Sequence, residues 1–378
     1  MGAGIAQVAA AAGHPVLLAD ADPAAVQRAR ATMEKALAGL VEKGKMEAAA
    51  RDALLARISW SAESVRDTVS GFAGAALVIE AIVEDRAIKQ ELFTRLAAVN
   101  ATGVIATNTS SLSVASLASV VSTPERVIGI HFFNPAPVMP LVEIIPWLGT
   151  DSLVTANVRA TIDRWGKTTV LAADTPGFIV NRVARPFYGE AIRIAEEGIA
   201  DYATIDWAMR TIGGFRMGPF ELMDFIGNDV NFAVTQSVFA AFFYDPRYRP
   251  SLTQQRLVES RFLGRKSGRG YYDYRPGIER PAAREDGALG ARIAERIVAM
   301  LVNEAVEAVH LRIASPADLD LAMTKGVNYP KGLLAWGDEI GLDRVLATLD
   351  ALRAEYGEER YRASPLLRRM ARDGARFS

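Results

Sequence analysis

Residues 1–20 read MGAGIAQVAAAAGHPVLLAD, and this stretch decides the fold of the first half of the chain. Small apolar residues over 5–12 are typical of a tightly packed helix, the GH dipeptide after them forms a turn, and residues 15–19 form an apolar strand that ends at Asp20. A helix that leads through a short turn into a buried strand is part of an α/β unit. We therefore expect an α/β domain at the start of the chain.

The following residues continue the alternation of helix and strand. Asp22 caps a long helix that reaches about Lys43, with Pro23 in its first turn. Further apolar strands are predicted at 76–81, 103–108, 126–130 and 141–145, with a helix over 85–99 between the first two. Continuous apolar strands joined by crossover helices predict a parallel sheet covered on both faces, which is a doubly wound fold.

The second half of the chain is helical and contains an internal repeat. The 41 residues from Gly189 match those from Asn303 without a gap at an offset of 114, and Tyr248 matches Tyr361 at an offset of 113. The sequence therefore predicts two tandem all-α domains after the α/β domain. The predicted boundaries are 1–172 for the first domain, 173–275 for helical copy 1, 276–290 for a Pro- and Gly-rich linker, and 291–378 for helical copy 2.

Composition excludes several classes of protein. The 378 residues carry a formal net charge of −1, which gives no sign of a surface for nucleic acid. The chain has no cysteine and three histidines, so we expect neither a disulfide framework, nor thiol catalysis, nor a metal site. No signal peptide or membrane span is recognisable, and we expect a cytoplasmic protein.

Candidate catalytic residues follow the predicted strands. In HFFNPAPVMPLVEII (131–145), His131 follows one strand and Glu143 lies inside the next, where a carboxylate is costly unless it is paired. An imidazole is the obvious partner, because the carboxylate would orient it and make it more basic. In ATNTSSLSV, Ser110 follows the strand that ends at Asn108, at the sheet edge where ligands bind. Each of these residues alone also fits a structural role, such as a helix cap.

Two further stretches are ambiguous in the same way. Asn181 lies in DTPGFIVNR, at the junction between the predicted domains, where clefts form. It also fits an ordinary first-turn residue. Glu84 and Lys89, in AIVEDRAIK, follow a strand on the same sheet edge, and a solvated helix start explains both equally well.

Together these stretches resemble the NAD-dependent 3-hydroxyacyl-CoA dehydrogenases over nearly the whole chain. HFFNP followed by LVE and then by TPGFIVNR is the specific part of the resemblance, and TNTSSL and MGPFELMDFIG support it. The resemblance implies a Rossmann-like first domain and oxidation of (S)-3-hydroxyacyl-CoA to 3-oxoacyl-CoA with NAD. It also implies a role in fatty-acid β-oxidation or in aromatic-acid breakdown such as that of phenylacetate.

The family's functional residues transfer one by one to this sequence. His131 matches the general base, Glu143 its partner carboxylate, and Ser110 and Asn181 the residues that hold the substrate oxygens. Asn134 matches a second substrate asparagine, and Lys43 a basic residue near the CoA end. The cofactor residues implied by the resemblance are Gly2, Asp20, Glu84 and Lys89.

The resemblance also explains the glycines at the start of the chain. In related sequences a strand precedes G-x-G-x-M-G, so Gly2 matches the third glycine, and Asp20 lies 18 residues after it. We therefore expect an N-terminally truncated Rossmann-like domain that lacks the first strand and two glycines. A chain that begins at Met1 is then expected to bind NAD poorly.

Other functions remain open at this point. A related NAD oxidoreductase could act on a free hydroxy acid or sugar acid, and a chain without the first strand could be a non-catalytic protein that binds CoA esters or nucleotides. Helical copy 2 has no counterpart of His131 or Asn181, so we expect it to be structural, either in an internal pseudo-dimer or in a homodimer.

The resemblance also bears on the acyl group of the substrate. Two-copy members of the family act on 3-hydroxyadipyl-CoA or 3-hydroxybutyryl-CoA. A dicarboxylyl substrate would need an arginine in the acyl pocket, for which Arg182, Arg185 and Arg216 are candidates that the sequence does not rank.

Overall fold

The computed structural model describes residues 1–377 and divides the chain into two compact units, Met1–Asp174 and Thr175–Ser378. The first unit contains seven strands: β1 (Val16–Leu18), β2 (Ile58–Trp60), β3 (Leu77–Glu80), β4 (Val104–Thr107), β5 (Val127–Phe132), β6 (Leu141–Ile145) and β7 (Thr168–Leu171). Its helices are α1 (Gly2–Ala11), α2 (Pro23–Glu42), α3 (Ala48–Ala56), α4 (Arg86–Val99), α5 (Val114–Ala118) and α6 (Ser152–Arg164).

The strands form a five-stranded sheet of order β3-β4-β5-β6-β7 and a separate parallel pair, β1-β2. Every pair is parallel except β5 and β6, which run antiparallel. The prediction of a wholly parallel sheet is therefore wrong at this pair. The reason is the short connection over 133–140, because a parallel return needs a crossover of a dozen or more residues.

A cavity of about 940 Å³ separates the two sheets, and residues of both β1 and β3 line it. Its lining is mainly apolar and includes Leu18, Leu77 and Ile79. Among residues 1–377, β1 pairs only with β2 and β3 pairs only with β4, so each has an edge without a partner strand. This is where the doubly wound sheet is interrupted.

The second unit is all helical. Its helices are α7 (Val180–Val183), α8 (Arg185–Glu196), α9 (Tyr202–Thr211), α10 (Pro219–Ile226), α11 (Asn228–Ala241), α12 (Leu252–Glu259), α13 (Gly287–His310), α14 (Pro316–Gly326), α15 (Leu333–Ile340), α16 (Leu342–Tyr356) and α17 (Pro365–Asp373). Helix α13 packs against both repeats and is buried around most of its circumference, as expected for a central core helix. It begins at Gly287, so the last residues of the predicted linker are helical.

The two helical copies contact each other through reciprocal ion pairs. Arg182 Nε donates to Glu304 Oε1 at 2.6 Å, and Arg296 Nε donates to Glu190 Oε1 at 2.7 Å. Both the two arginines and the two glutamates are separated by 114 positions, the offset of the repeat. In a two-fold interface, every contact between the two halves occurs twice, with the roles of the halves exchanged. The two ion pairs have this relationship.

Tyrosines complete the same pattern. Tyr248 donates its hydroxyl hydrogen to Glu304 at 2.6 Å, and Tyr361 donates to Glu190 at 2.8 Å. Each buried glutamate thus accepts hydrogen bonds from an arginine and a tyrosine of the opposite copy. These partners offset the cost of burying the two carboxylates.

An aspartate starts an equivalent helix in each copy, and it is buried in the first copy and half-buried in the second. Asp206 accepts the amides of Phe220 and Glu221 at 2.9 Å, at the first turn of α10. Asp320 accepts the amides of residues 334 and 335 at 2.8 and 3.0 Å, at the first turn of α15. A Cβ atom on Gly218 would lie 2.4 Å from Asp206, so only glycine allows this close approach.

No helix within residues 1–377 combines the length and the apolar composition that a membrane crossing requires.

Candidate active site

The candidate active site is built on the antiparallel pair β5-β6. His131 lies opposite Glu143 in the strand register, and its Nδ1 atom is 2.7 Å from Glu143 Oε2. The glutamate is 0% exposed and the histidine 6% exposed. A carboxylate in this environment is stable only with a partner, so the pairing predicted from the sequence is present. The arrangement fixes which ring nitrogen of His131 is engaged by the acid.

Ser110 lies on the loop that follows β4, and Glu84 holds that loop in place. The Glu84 carboxylate accepts the amides of Ser110 and Ser111 at 3.1 and 3.2 Å. It also accepts the hydroxyls of Thr109 and Ser111. Burial alone would raise the pKa of Glu84, but the hydrogen bond from Thr109 and the charge of Lys89 are among the effects that outweigh it and lower the pKa. Glu84 is therefore a charged anchor for the serine loop.

Lys89 lies beneath this edge of the sheet and is 1% exposed. Its Nζ atom is 2.6 Å from Glu80 Oε1 and 3.1 Å from Glu84 Oε2. Thr107 donates to the other oxygen of Glu80 at 2.8 Å. Lys89 is thus enclosed between two carboxylates. Of Glu84 and Lys89, the two residues predicted to contact the nucleotide, Glu84 is the more accessible to solvent.

The other predicted substrate residues lie in different places. Asn134 is exposed just after β5 and precedes a cis peptide bond to Pro135. Lys43 is exposed at the C-terminal end of α2. Asn181 belongs to the helical unit, where it lies in α7 and its carbonyl accepts Nε of Arg185 at 2.7 Å.

The residues predicted for the cofactor fit part of a dinucleotide. Asp20 is exposed just beyond the C-terminal end of β1, where a ribose is bound in such folds, and its carboxylate accepts the amide of Asp22 at 3.0 Å. Helix α1 begins at Gly2 without a side-chain cap, so its first amides can face an anion. These residues fit the adenine ribose and one side of the pyrophosphate.

Sequence reasoning did not assign three supporting residues. Glu80 binds Lys89, Asn108 Oδ1 accepts the amide of Phe132 at 2.8 Å, and Asp174 accepts the amides of the first two residues of α5 at 2.9 and 2.8 Å. Glu80 carried a signal, since it is an acid at the end of the apolar strand ALVIEA. The partners of Asn108 and Asp174 are 24 and 60 residues away in sequence, and no local pattern reveals them.

A doubly wound unit with an acid after the strand β1, followed by a helical unit, is typical of nicotinamide-dependent oxidoreductases. A family model described as 3-hydroxyacyl-CoA dehydrogenase, NAD binding domain, matches residues 1–175. A second, described as 3-hydroxyacyl-CoA dehydrogenase, C-terminal domain, matches residues 177–274 and 293–376. The chain belongs to the 3-hydroxyacyl-CoA dehydrogenase family.

Individual relatives agree with this assignment. The 3-hydroxyadipyl-CoA dehydrogenase of Escherichia coli K12 is 40% identical, over 98% of this chain and 95% of that protein. The human mitochondrial hydroxyacyl-coenzyme A dehydrogenase is 39% identical, over 73% of this chain and 88% of that protein. The crystal structure of 3-hydroxybutyryl-CoA dehydrogenase from Escherichia coli K12 is similar, with a TM-score of 0.91 at 39% identity over 98% of this chain and 96% of that chain.

Proposed function

We propose that the chain oxidises (S)-3-hydroxyacyl-CoA to 3-oxoacyl-CoA with NAD, and that His131 is its general base. The observation that carries this proposal is the buried pair of His131 and Glu143, 2.7 Å apart on adjacent strands. A histidine oriented by a carboxylate is suited to removing a proton from an alcohol.

The chemistry of the chain's own residues follows from this pair. Because Glu143 engages Nδ1, His131 receives the proton of the 3-hydroxyl on Nε2. Glu143 then stabilises the imidazolium, and in the reverse direction the same nitrogen returns the proton to the developing alkoxide. A general base of this kind contributes roughly 10²–10⁴-fold to the rate.

Ser110 and Asn181 hold the hydroxyl or thioester oxygens, and Asn134 and Lys43 bind other parts of the acyl-CoA. These roles come from the resemblance. The support for Ser110 is the fixed loop on which it lies, since Glu84 binds the two amides of that turn. Positioning of this type lowers the barrier by reducing the entropy lost in the reaction.

NAD, when bound, accepts the hydride from C3. Asp20 would hold the adenine ribose, Gly2 would approach the pyrophosphate, and Glu84 and Lys89 would be the remaining nucleotide residues, Lys89 through its ion pair with Glu84. The carboxylate of Asp20 disfavours a 2′-phosphate and therefore favours NAD over NADP.

The helical unit is an internal pseudo-dimer of two tandem copies, of which the second is structural. The reciprocal pairs Arg182–Glu304 and Arg296–Glu190 support this proposal. The position equivalent to Asn181 in the second copy is Glu295, so the second copy does not repeat the substrate asparagine. A cytoplasmic location and a role in fatty-acid or phenylacetate breakdown complete the proposal.

The first test is an assay of NADH oxidation with acetoacetyl-CoA. Turnover of the thioester without turnover of free acetoacetate supports the proposal. Equal turnover of the free acid favours an oxidoreductase for hydroxy acids. Folded protein that binds acetoacetyl-CoA but turns over neither compound favours the non-catalytic alternative.

A further inference from the structure

The first helical copy buries an arginine that lacks an acidic partner. Arg185, in α8, is 8% exposed. Its Nε atom donates to the carbonyl of Asn181 at 2.7 Å, and Nη1 donates to Thr235 Oγ1 at 3.2 Å. Within residues 1–377, no carboxylate lies within the 4.0 Å of an ion pair from its guanidinium. A buried cation that is held only by neutral groups costs stability, so the fold alone does not explain it.

The second copy is an internal reference for this position. The residue equivalent to Arg185 is Ala299, which is 3% exposed, and the residue equivalent to Thr235 is Leu349, which is 0% exposed. The equivalent helices of the second copy therefore pack around two apolar side chains. The repeat does not require a cation or a hydroxyl at these positions.

The polar residues continue further into the first copy. Thr235 donates its hydroxyl hydrogen to the carbonyl of Asn231 at 2.9 Å, and the side-chain amide of Gln254 donates to Asn231 Oδ1 at 2.9 Å. The residues equivalent to Asn231 and Gln254 are Val345 and Leu367, both buried. One buried polar chain in the first copy thus replaces four buried apolar side chains at the equivalent positions of the second.

A second polar group accompanies Arg185. Tyr329 is buried, and its hydroxyl has no hydrogen-bond partner within residues 1–377. Burial raises the pKa of Tyr329 well above its usual value, and the nearby charge of Arg185 opposes the rise. The residue equivalent to Tyr329 in the first copy is Phe215, which has no hydroxyl. The second copy therefore supplies an unpaired hydroxyl where the first copy has only a phenyl ring.

The guanidinium also keeps one nitrogen for a ligand. Nη2 of Arg185 has no hydrogen-bond acceptor within residues 1–377, and it is not one of the fully buried polar atoms. By contrast, Arg182 is engaged by Glu304, and Arg216 is exposed. Arg182 also has two nitrogens without a hydrogen-bond partner, Nη1 and Nη2, but both are fully buried and Glu304 neutralises the charge. Of the three arginines, Arg185 is the one that is buried without a carboxylate partner and whose unused donor is not fully buried. A planar carboxylate is the anion that such a donor set fits.

We propose that Arg185 binds the distal carboxylate of a dicarboxylyl 3-hydroxyacyl-CoA, with a second hydrogen bond from Tyr329. This inference rests on the proposed function, because it names the acyl group that the dehydrogenase receives. Arg185 binds the backbone of Asn181, so the group that recognises the acyl end is anchored to a residue proposed to hold the reacting oxygens. The desolvated cation stays unneutralised until the substrate supplies the negative charge.

The test compares 3-hydroxyadipyl-CoA with 3-hydroxyhexanoyl-CoA, which has the same chain length and no terminal carboxylate. The quantity measured is the ratio of the two kcat/KM values. We expect Arg185→Ala to lower this ratio by about 100-fold or more, since a charge-assisted bond to a buried partner is lost. The ratio cancels any effect on Asn181, which both substrates need. Tyr329→Phe, which introduces the residue of the first copy, lowers it by about 10-fold.

The control is Arg216→Ala, an exposed arginine in the same unit, which leaves the ratio unchanged. A ratio in Arg185→Ala equal to that of the unmodified chain overturns the inference while the dehydrogenase function stands. Absence of turnover with either thioester overturns the proposed function and, with it, the acyl site.

Stability gives an independent check. Ala299 shows that an alanine packs at the equivalent position, so Arg185→Ala is expected to fold. It should keep or raise the temperature of unfolding, because an uncompensated buried charge is removed. A large fall in that temperature for both Arg185→Ala and Arg185→Met identifies Arg185 as structural and contradicts the inference.

Discussion

The ammonium of Lys89 and the carboxylate of Glu80 lie 2.6 Å apart, with both side chains almost completely removed from solvent. This pair lies under the sheet edge that carries Ser110 and Glu84. Its position has a direct consequence for stability, because a buried charge that loses its partner is more costly than an apolar pair.

We expect Lys89→Met to lower the free energy of unfolding by about 3–5 kcal/mol, because it leaves Glu80 buried without a cation. The double variant Glu80→Gln/Lys89→Met should recover much of this loss, since the amide oxygen can still accept from the Ile82 N–H and the amide NH2 can donate to the Thr107 hydroxyl oxygen, at the positions of the two carboxylate oxygens. Chemical denaturation of the four proteins in this double-mutant cycle measures the coupling. Additive losses would show that the two side chains are not coupled.

We expect His131→Gln to lower kcat for 3-hydroxyacyl-CoA by roughly 10²–10⁴-fold while the affinity for NADH changes little. Steady-state kinetics and NADH fluorescence titration measure the two quantities. His14→Gln is the matched control, because His14 is an exposed histidine of the same unit whose ring lies 5.7 Å from that of Trp165, away from the His131–Glu143 pair in sequence and register. Near-normal turnover by His131→Gln would remove His131 from the mechanism.

We expect Asp20→Ser to raise the ratio of kcat/KM for NADP to that for NAD by about 10-fold or more, since the change removes the charge that repels a 2′-phosphate. Asp22 is the neighbouring control, because it is an exposed aspartate that caps α2. A ratio that stays constant in Asp20→Ser and rises in Asp22→Ser would move the ribose contact to Asp22.

Asp206 predicts a pH dependence of stability. Burial raises its pKa to about 6 from 3.8, against the hydrogen bonds that favour the charged form. The folded state therefore binds a proton more tightly than the unfolded state. The stabilisation is complete below about pH 4 and is lost as the pH rises through about 6.

Asp206→Asn removes this titration. Relative to the unmodified chain, the variant should gain up to about 3 kcal/mol of stability between pH 4 and pH 7. Urea denaturation at several pH values in this range measures the difference between the unfolding free energies of the two proteins. The contributions of all other titratable groups cancel in this difference. A difference that does not change with pH would contradict the raised pKa.

Local patterns predicted much of the fold. Strand β6 has the predicted bounds, Leu141–Ile145, and Asp22 caps α2 as expected. The pairing of His131 with Glu143 followed from the cost of an acid in an apolar strand. Strand β2 was missed, since three residues carry no periodicity. The antiparallel direction of β6 follows from the short connection between β5 and β6, and this length is informative only when the two strands are known to be neighbours in the sheet.

The surroundings of single side chains were less predictable. The pattern of AIVEDRAIK does not distinguish an exposed lysine from Lys89, which is enclosed by acids 9 and 5 residues before it. The three candidate arginines could not be ranked because burial and partners are tertiary properties. The property that distinguishes Arg185 is its burial without a carboxylate partner, at a position where the second copy has the buried apolar residue Ala299.

The reciprocal pairs of Arg182 with Glu304 and Arg296 with Glu190 show why joining the two copies in one chain matters. In an assembly of identical subunits, every substitution appears twice, so a change that helps one site also burdens the other. Here the halves are encoded separately and can diverge. One half can keep the apolar packing that stabilises the unit, while the other evolves charged, less stable chemistry for a ligand.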